Sequence, residues 1–415
     1  MTPANVPVPF TVSFAQYDVD RMMAKVRDTR LPAEPIVPGA SWDYGIDLEW
    51  LTGLKTNWAD QWSWAEAEKR INKYSHFRVD IEEISLHFVH IRSSRPDAIP
   101  LILSHGWPST FLEFWEVIDG LVEPAESEQP AFHVVIPSMP GYTFSSSPQR
   151  KGWDVMDTAR VYNSLMVEVL GYKTYSCAAG DWGATITVML LSNHTASALT
   201  AHFTFFFGLP NLLNPIQTLP AILYVTPFVP RSISRCFLSW VYTDTEIKAM
   251  DELSRFNKEE RGYHAIQGSK PMTLGCALYD DPIGILSWIG EKYHVWSDPL
   301  APAAPSKIDS DYIITQTALY FLTNSIHTSF LPYKEYIEDL PFKKFFTKAR
   351  PVGVSNFPAE VMKCPRTWLE NTWNLVNYKE HARGGHFAAV DNPKAFLEDV
   401  RETIVKGYFS ELSKQ

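Results

Sequence analysis

Residues 173–191 read KTYSCAAGDWGATITVMLL. Tyr175 to Ala179 is a short apolar run that suits a strand buried on both faces. Ala184 to Leu191 continues as an apolar helix. Between them stands Ala179-Gly180-Asp181-Trp182-Gly183, the pattern small-x-nucleophile-x-small. Small residues permit a sharp strand-to-helix turn that lifts one side chain above the sheet. The helix start behind it supplies backbone N–H groups and the positive end of a dipole. The side chain at the tip is a carboxylate. A serine there would attack acyl carbons. A carboxylate is suited to displacement at an sp³ carbon, giving an alkyl ester that water must then cleave. Asp is also a common helix cap, so this turn alone leaves a structural role for Asp181 equally open.

The flanking sequence repeats the rhythm. Ile84 to Ile91 alternates as a strand, SSRPDA is a turn, and IPLILSHGWP (residues 99–108) is an apolar strand ending in a Gly/Pro loop. FHVVIPSMPGY (residues 132–142) does the same. Asp154 to Gly171 reads as an amphipathic helix from an Asp cap to a Gly stop. Strands return at Arg350 to Phe357 and Trp373 to His381, and NPKAFLEDVRETIVKGYF closes the chain as a helix. Alternating strands and helices predict an α/β fold with a mostly parallel sheet flanked by helices. Residues 1–80 are expected to form a helical, Trp-rich meander, with Trp64 to Phe77 as one helix. The core is expected over 81–208 and 324–415. A mainly helical cap, rich in proline and aromatics, is expected over 209–323.

Two further motifs bear on chemistry. Gly384-Gly385-His386-Phe387 follows the last strand, and Glu360 follows the one before it. Nucleophile, acid and His then occur in the order this architecture uses. A His held by a carboxylate can take a proton from water at neutral pH. His105-Gly106-Trp107-Pro108 follows the strand PLILS. The Trp107 and Trp182 N–H groups are the expected oxyanion hole, and His105, Gly106 and Pro108 are expected to line the substrate site. Taken alone, a plain turn is the better explanation of that loop.

Composition excludes several classes. With 45% hydrophobic and 20% charged residues over 415 positions, the chain is not disordered. A net charge of -10 makes it a poor binder of nucleic acid. Its four cysteines, Cys177, Cys236, Cys276 and Cys364, form no CxxC pair, so neither a Cys-based zinc site nor a disulfide framework is indicated. Residues Trp182 to Pro230 contain no Asp, Glu, Lys or Arg, but five prolines interrupt the stretch, which argues against a spanning helix. The start MTPANVPVPF has no leader or anchor pattern. The expectation is a soluble cytoplasmic protein with no stable membrane anchor, though its apolar cap could touch a membrane peripherally or form a homodimer contact.

Taken together, these segments resemble the epoxide hydrolases of the α/β-hydrolase superfamily, in the microsomal-type and fungal branch. The resemblance rests on WAEAEKRINKYSHFRVDIEEISLHFVHIRS, LSHGWPSTFLEFWEVI, AGDWGA, GYHAIQGSKPMTLGCALYDDPIGILSWIGEKY, SFLPYKE, RPVGVSNFPAEV and GGHFAAVDNP. It implies a small-molecule epoxide substrate, no metal and no organic cofactor. It also implies two tyrosines that donate to the opening ring, Tyr263 in GYHAIQ and Tyr333 in SFLPYKE. The acid here is Glu, as in part of the family, where others carry Asp. The alternatives are a haloalkane dehalogenase, an epoxide-opening cyclase and a non-catalytic receptor on the same scaffold.

Overall fold

The computed structural model describes residues 6–211, 213–225, 231–335 and 348–414. Nine strands form one sheet: β1 (Val8–Phe10), β2 (His76–Ile81), β3 (Ile84–Ile91), β4 (Ile99–Ser104), β5 (Phe132–Pro137), β6 (Tyr175–Ala179), β7 (Ala198–Phe203), β8 (Pro351–Asn356) and β9 (Asn374–Glu380). Their order is β1-β2-β3-β5-β4-β6-β7-β8-β9. The first four in that order pair antiparallel. From β5 to β9 every pairing is parallel. In the centre, Ile102 of β4 lies between Val135 of β5 and Cys177 of β6. All three side chains are fully buried. The continuous apolar runs are therefore explained by helices covering both faces.

Helices follow the strands as crossovers. Asp154 caps the helix Val155–Ser164 through a capping box with Asp157, and the turn ends near Gly171 at φ +76°. Helix Asp181–Asn193 follows β6, and helix Pro393–Leu412 packs across β7, β8 and β9. Between β7 and β8 the described residues form only helices and loops, from Pro215 to Lys334.

The N-terminal region departs from expectation. It holds helices Gln16–Asp28, Leu48–Asp60 and Trp64–Ile71, but also β1 and β2. The helix expected to reach Phe77 stops at Ile71. Residues from His76 onward pair with β3 around a turn at Glu82, which has φ +54°. His76, Val79 and Ile81 are buried in that hairpin. Cross-strand burial outweighs the helix-like spacing that continues past Ile71. Helices Gln16–Asp28 and Leu48–Asp60 pack on helices Pro282–Val295 and Ser310–Leu322, and Thr315 in the latter accepts from Trp62 Nε1 at 3.2 Å and from Arg70 of the third helix at 3.3 Å.

Among the described residues no helix is long and apolar enough to cross a membrane. The described part of the uncharged stretch after Trp182 is divided among a buried helix, β7 and the helix Pro215–Val225, and residues 212 and 226–230 lie outside the described residues.

Candidate active site

The loops after β4, β6, β8 and β9 converge at the carboxyl ends of the parallel strands, where open α/β sheets build their sites. Asp181 opens the helix after β6. Its backbone lies at φ +45°, a conformation that side-chain-bearing residues adopt at a cost of about 1–3 kcal/mol. Close packing enforces the turn. A Cβ on Gly183 would stand 2.0 Å from the Ser104 carbonyl oxygen, so only glycine lets the helix approach β4. A Cβ on Gly106 would stand 2.1 Å from Asp181 Oδ1, so glycine is what lets the loop after β4 reach the carboxylate.

That loop then donates to it. Trp107 N–H bonds Asp181 Oδ1 at 2.7 Å. The other oxygen, Oδ2, lies 3.4 Å from His386 Nε2. His386 Nδ1 meets Glu360 at 2.9 and 3.0 Å, one distance to each carboxylate oxygen. Glu360 Oε1 also accepts the N–H groups of Val361 at 2.7 Å and Met362 at 3.2 Å, which fixes the acid. Ala359 N–H donates to the Gly384 carbonyl at 3.1 Å, stitching the acid loop to the His loop. Burial disfavours charge on His386, but the carboxylates of Glu360 and Asp181 outweigh it and hold its pKa well above the usual imidazole value.

Aromatic rings roof this triad. Tyr263 lies parallel to the Trp107 ring, with centroids 5.3 Å apart. Tyr333 meets Trp182 edge-on at 5.0 Å and Trp107 at 5.9 Å, and the two tyrosine rings are 5.9 Å apart. Burial, and after it neighbouring charge that includes Asp181, pushes both phenols above the ordinary tyrosine range. Both therefore stay protonated at neutral pH. The Tyr333 hydroxyl is buried with no hydrogen-bond partner among the described residues. Trp182 lies in the first turn of its helix, beside Asp181.

The structure thus gathers Asp181, His386, Glu360, Tyr263, Tyr333, Trp107 and Trp182. His105 and Pro108 flank the Gly106–Trp107 segment, and their contacts tie down that loop. The His105 ring is fully buried, its Nε2 accepting from Met139 N–H at 3.2 Å, and it meets Tyr142 in a T-shaped contact at 5.4 Å. Pro108 follows a cis bond, and its carbonyl accepts from Tyr293 at 3.2 Å. Both brace the loop, which is what a short Gly/Pro segment needs when its backbone must donate. Gly106 does border the carboxylate, by its lack of a side chain.

Sequence reading missed two supports. The Trp296 carbonyl accepts His386 N–H at 2.8 Å. Asp298 accepts from Arg383 Nε at 2.5 Å and from Gly384 N–H at 2.8 Å. Both come from the segment after helix Pro282–Val295 and have no local sequence signature. A surface groove of about 1680 Å³ runs between residues 27–61 and 281–287 and includes none of Asp181, Glu360 and His386. Among the described residues, no group of three or more His, Cys, Asp or Glu is placed to hold a metal ion.

Fold and site together define an α/β hydrolase with a carboxylate at the tip of the turn after β6. Residues 7–114 match the family described as the epoxide hydrolase N terminus, and residues 99–215 match the alpha/beta hydrolase fold family. The chain is 32% identical to epoxide hydrolase 1 of Sus scrofa over 95% of its own length and 87% of that protein. It superposes on the Aspergillus niger epoxide hydrolase with a TM-score of 0.81, at 31% identity and 96% coverage of both chains. The juvenile hormone epoxide hydrolase of the silkworm Bombyx mori gives a TM-score of 0.85 at 28% identity, covering 99% of this chain and 96% of that one. The chain belongs to the epoxide hydrolase family, and its reaction is the hydrolysis of an epoxide.

Proposed function

We propose that Asp181 attacks an epoxide carbon and that His386, oriented by Glu360, activates the water that releases a vicinal diol. The observation that carries this reading is the division of the Asp181 carboxylate. One oxygen is held by Trp107 N–H and the other faces His386. The held oxygen marks where oxyanion charge would build during ester hydrolysis, with Trp182 N–H as the second donor. The free oxygen is the attacking atom. Tyr263 and Tyr333 donate to the epoxide oxygen, and the unpartnered Tyr333 hydroxyl supports that role.

The protons balance over this cycle. At rest His386 is an imidazolium between two carboxylates. As the C–O bond to Asp181 forms and the ring C–O bond breaks, the tyrosines protonate the alkoxide. The imidazolium proton replaces the one they gave. Esterification removes the Asp181 charge, so His386 loses one of the groups that raised its pKa and becomes a base. It then takes a proton from water, the hydroxide attacks the ester carbonyl, and the diol leaves with the imidazolium restored.

The same reading makes residues 209–323 a lid over the site, with Tyr333 just beyond it, and makes the natural substrate an apolar epoxide. The test is intact-protein mass spectrometry of His386→Gln mixed with styrene oxide. A stable gain equal to the whole epoxide mass, absent in Asp181→Asn, is expected. No adduct under saturating epoxide would exclude the covalent step.

A further inference from the structure

Helix Pro282–Val295 carries a lysine that the two-step scheme does not use. Lys292 is buried, with only 6% of its surface exposed. A buried ammonium needs compensation, and two kinds are present. Glu291, the preceding residue, forms an ion pair with Nζ. Two ring faces also lie near: Nζ is 4.9 Å from the centroid of the Tyr263 ring and 5.7 Å from that of Trp296. Both distances fall within cation–π range. Tyr263 is also stacked on Trp107, whose N–H holds the nucleophile.

This placement bears on the first step. When Tyr263 gives its proton toward the epoxide oxygen, negative charge grows on its oxygen and ring. Burial and the Asp181 carboxylate both oppose that charge. A cation held over the ring opposes them, and it does so more strongly as the phenolate character increases. The interaction is thus stronger in the transition state than in the resting state, which is the condition for accelerating a step. Glu291 fixes the ammonium through the helix and lowers its net field. Arg261 also favours charge on the same phenol, and Glu360 opposes it.

We propose that Lys292 is a positioning residue for epoxide opening, acting through Tyr263 by placing positive charge over its ring as the phenol donates. The inference rests on the reading of Tyr263 as a proton donor, and the test separates the two. Ester formation and ester hydrolysis are measured by stopped-flow tryptophan fluorescence and quenched mass spectrometry with styrene oxide. The variants are Lys292→Gln, Lys292→Met, Lys292→Arg, Tyr263→Phe and Lys292→Gln/Tyr263→Phe.

Lys292→Gln and Lys292→Met are expected to slow ester formation by about 10- to 30-fold. Ester hydrolysis should remain within about twofold, because the phenol is not consumed in that step. Lys292→Arg should restore most of the rate. In the Tyr263→Phe background, Lys292→Gln should add nothing, since the ring no longer carries an acidic proton. An equal loss in both backgrounds, or equal slowing of both steps, would make Lys292 a packing residue and overturn the proposal. Normal ester formation in Lys292→Gln alongside a slow Tyr263→Phe would remove Lys292 and leave Tyr263 standing. A normal Tyr263→Phe would remove both.

Discussion

Glu113 lies buried in the 3-10 turn Phe111–Phe114, which packs against residues 388–391 just after His386. Burial pushes its pKa from 4.5 up to about 7, and the His386 charge and Ser109 offset only part of that. The folded state therefore holds this proton more tightly than the unfolded chain. Stability is unpenalised below about pH 4.5 and falls as pH rises toward 7. Above that, the penalty reaches about 3 kcal/mol. Glu113→Gln, neutral at every pH, should match wild type at pH 4.5 and gain progressively to about 3 kcal/mol at pH 8. Denaturant melts across that range check it, and an advantage independent of pH would acquit the carboxyl. At Gly106 the expectation is kinetic. The added methyl of Gly106→Ala must displace Asp181 Oδ1, which would stand 2.1 Å away. Misplacing the attacking group by about 1 Å costs on the order of 100-fold. Single-turnover ester formation should fall by that factor or more while circular dichroism stays unchanged. Residues such as Asp181 and His386 were legible because each sits inside a short motif that the chemistry constrains. Glu113 was not, since its burial depends on residues far away in sequence.

At the scale of elements, the His386 loop is held from two sides. Glu360 and its loop grip it from β8, while Trp296 and Asp298 grip it from the segment after helix Pro282–Val295. The Asp298 side chain is only 2% exposed, whereas Arg383 is one-third exposed. Removing the acid leaves a cation that water can partly reach, so the cost should fall below that of a fully buried broken pair. Asp298→Ala should cost about 2 kcal/mol and slow ester hydrolysis about tenfold, consistent with a loosened base. Ester formation should be nearly unaffected. Burst kinetics separate the two, and equal loss in both steps would refute the assignment. The parallel strands were readable element by element because burial on both faces writes continuous apolar runs. β2 was not, because its residues continue a helical spacing and only their pairing with β3 decides the outcome. The contacts of the His105 ring with Met139 and Tyr142, which come from another loop, were likewise not legible in the sequence.

Across the whole molecule, the N-terminal region is a buttress for the helices beside the site. Trp58 is fully buried and meets Trp62 edge-on at 6.0 Å, while Trp62 bonds Thr315 in helix Ser310–Leu322. Trp58→Ala should cost about 3–5 kcal/mol, read as a lowered urea midpoint with the slope unchanged. A loss under about 1 kcal/mol would mean that this region collapses around the cavity and contributes little to the whole.

The sequence by itself determined the alternation of strands and helices, the carboxylate at the tip of the turn, and the order of Asp181, Glu360 and His386 along the chain. Those are local facts, fixed by periodicity, by glycine at tight turns and by the residue types that chemistry demands. Only the tertiary structure decided which oxygen of Asp181 is held and which is free, that His386 hangs from Trp296, and that Lys292 lies over Tyr263. These depend on contacts between segments tens to hundreds of residues apart. Close packing sets such distances to within tenths of an ångström, and no pattern along the chain records them.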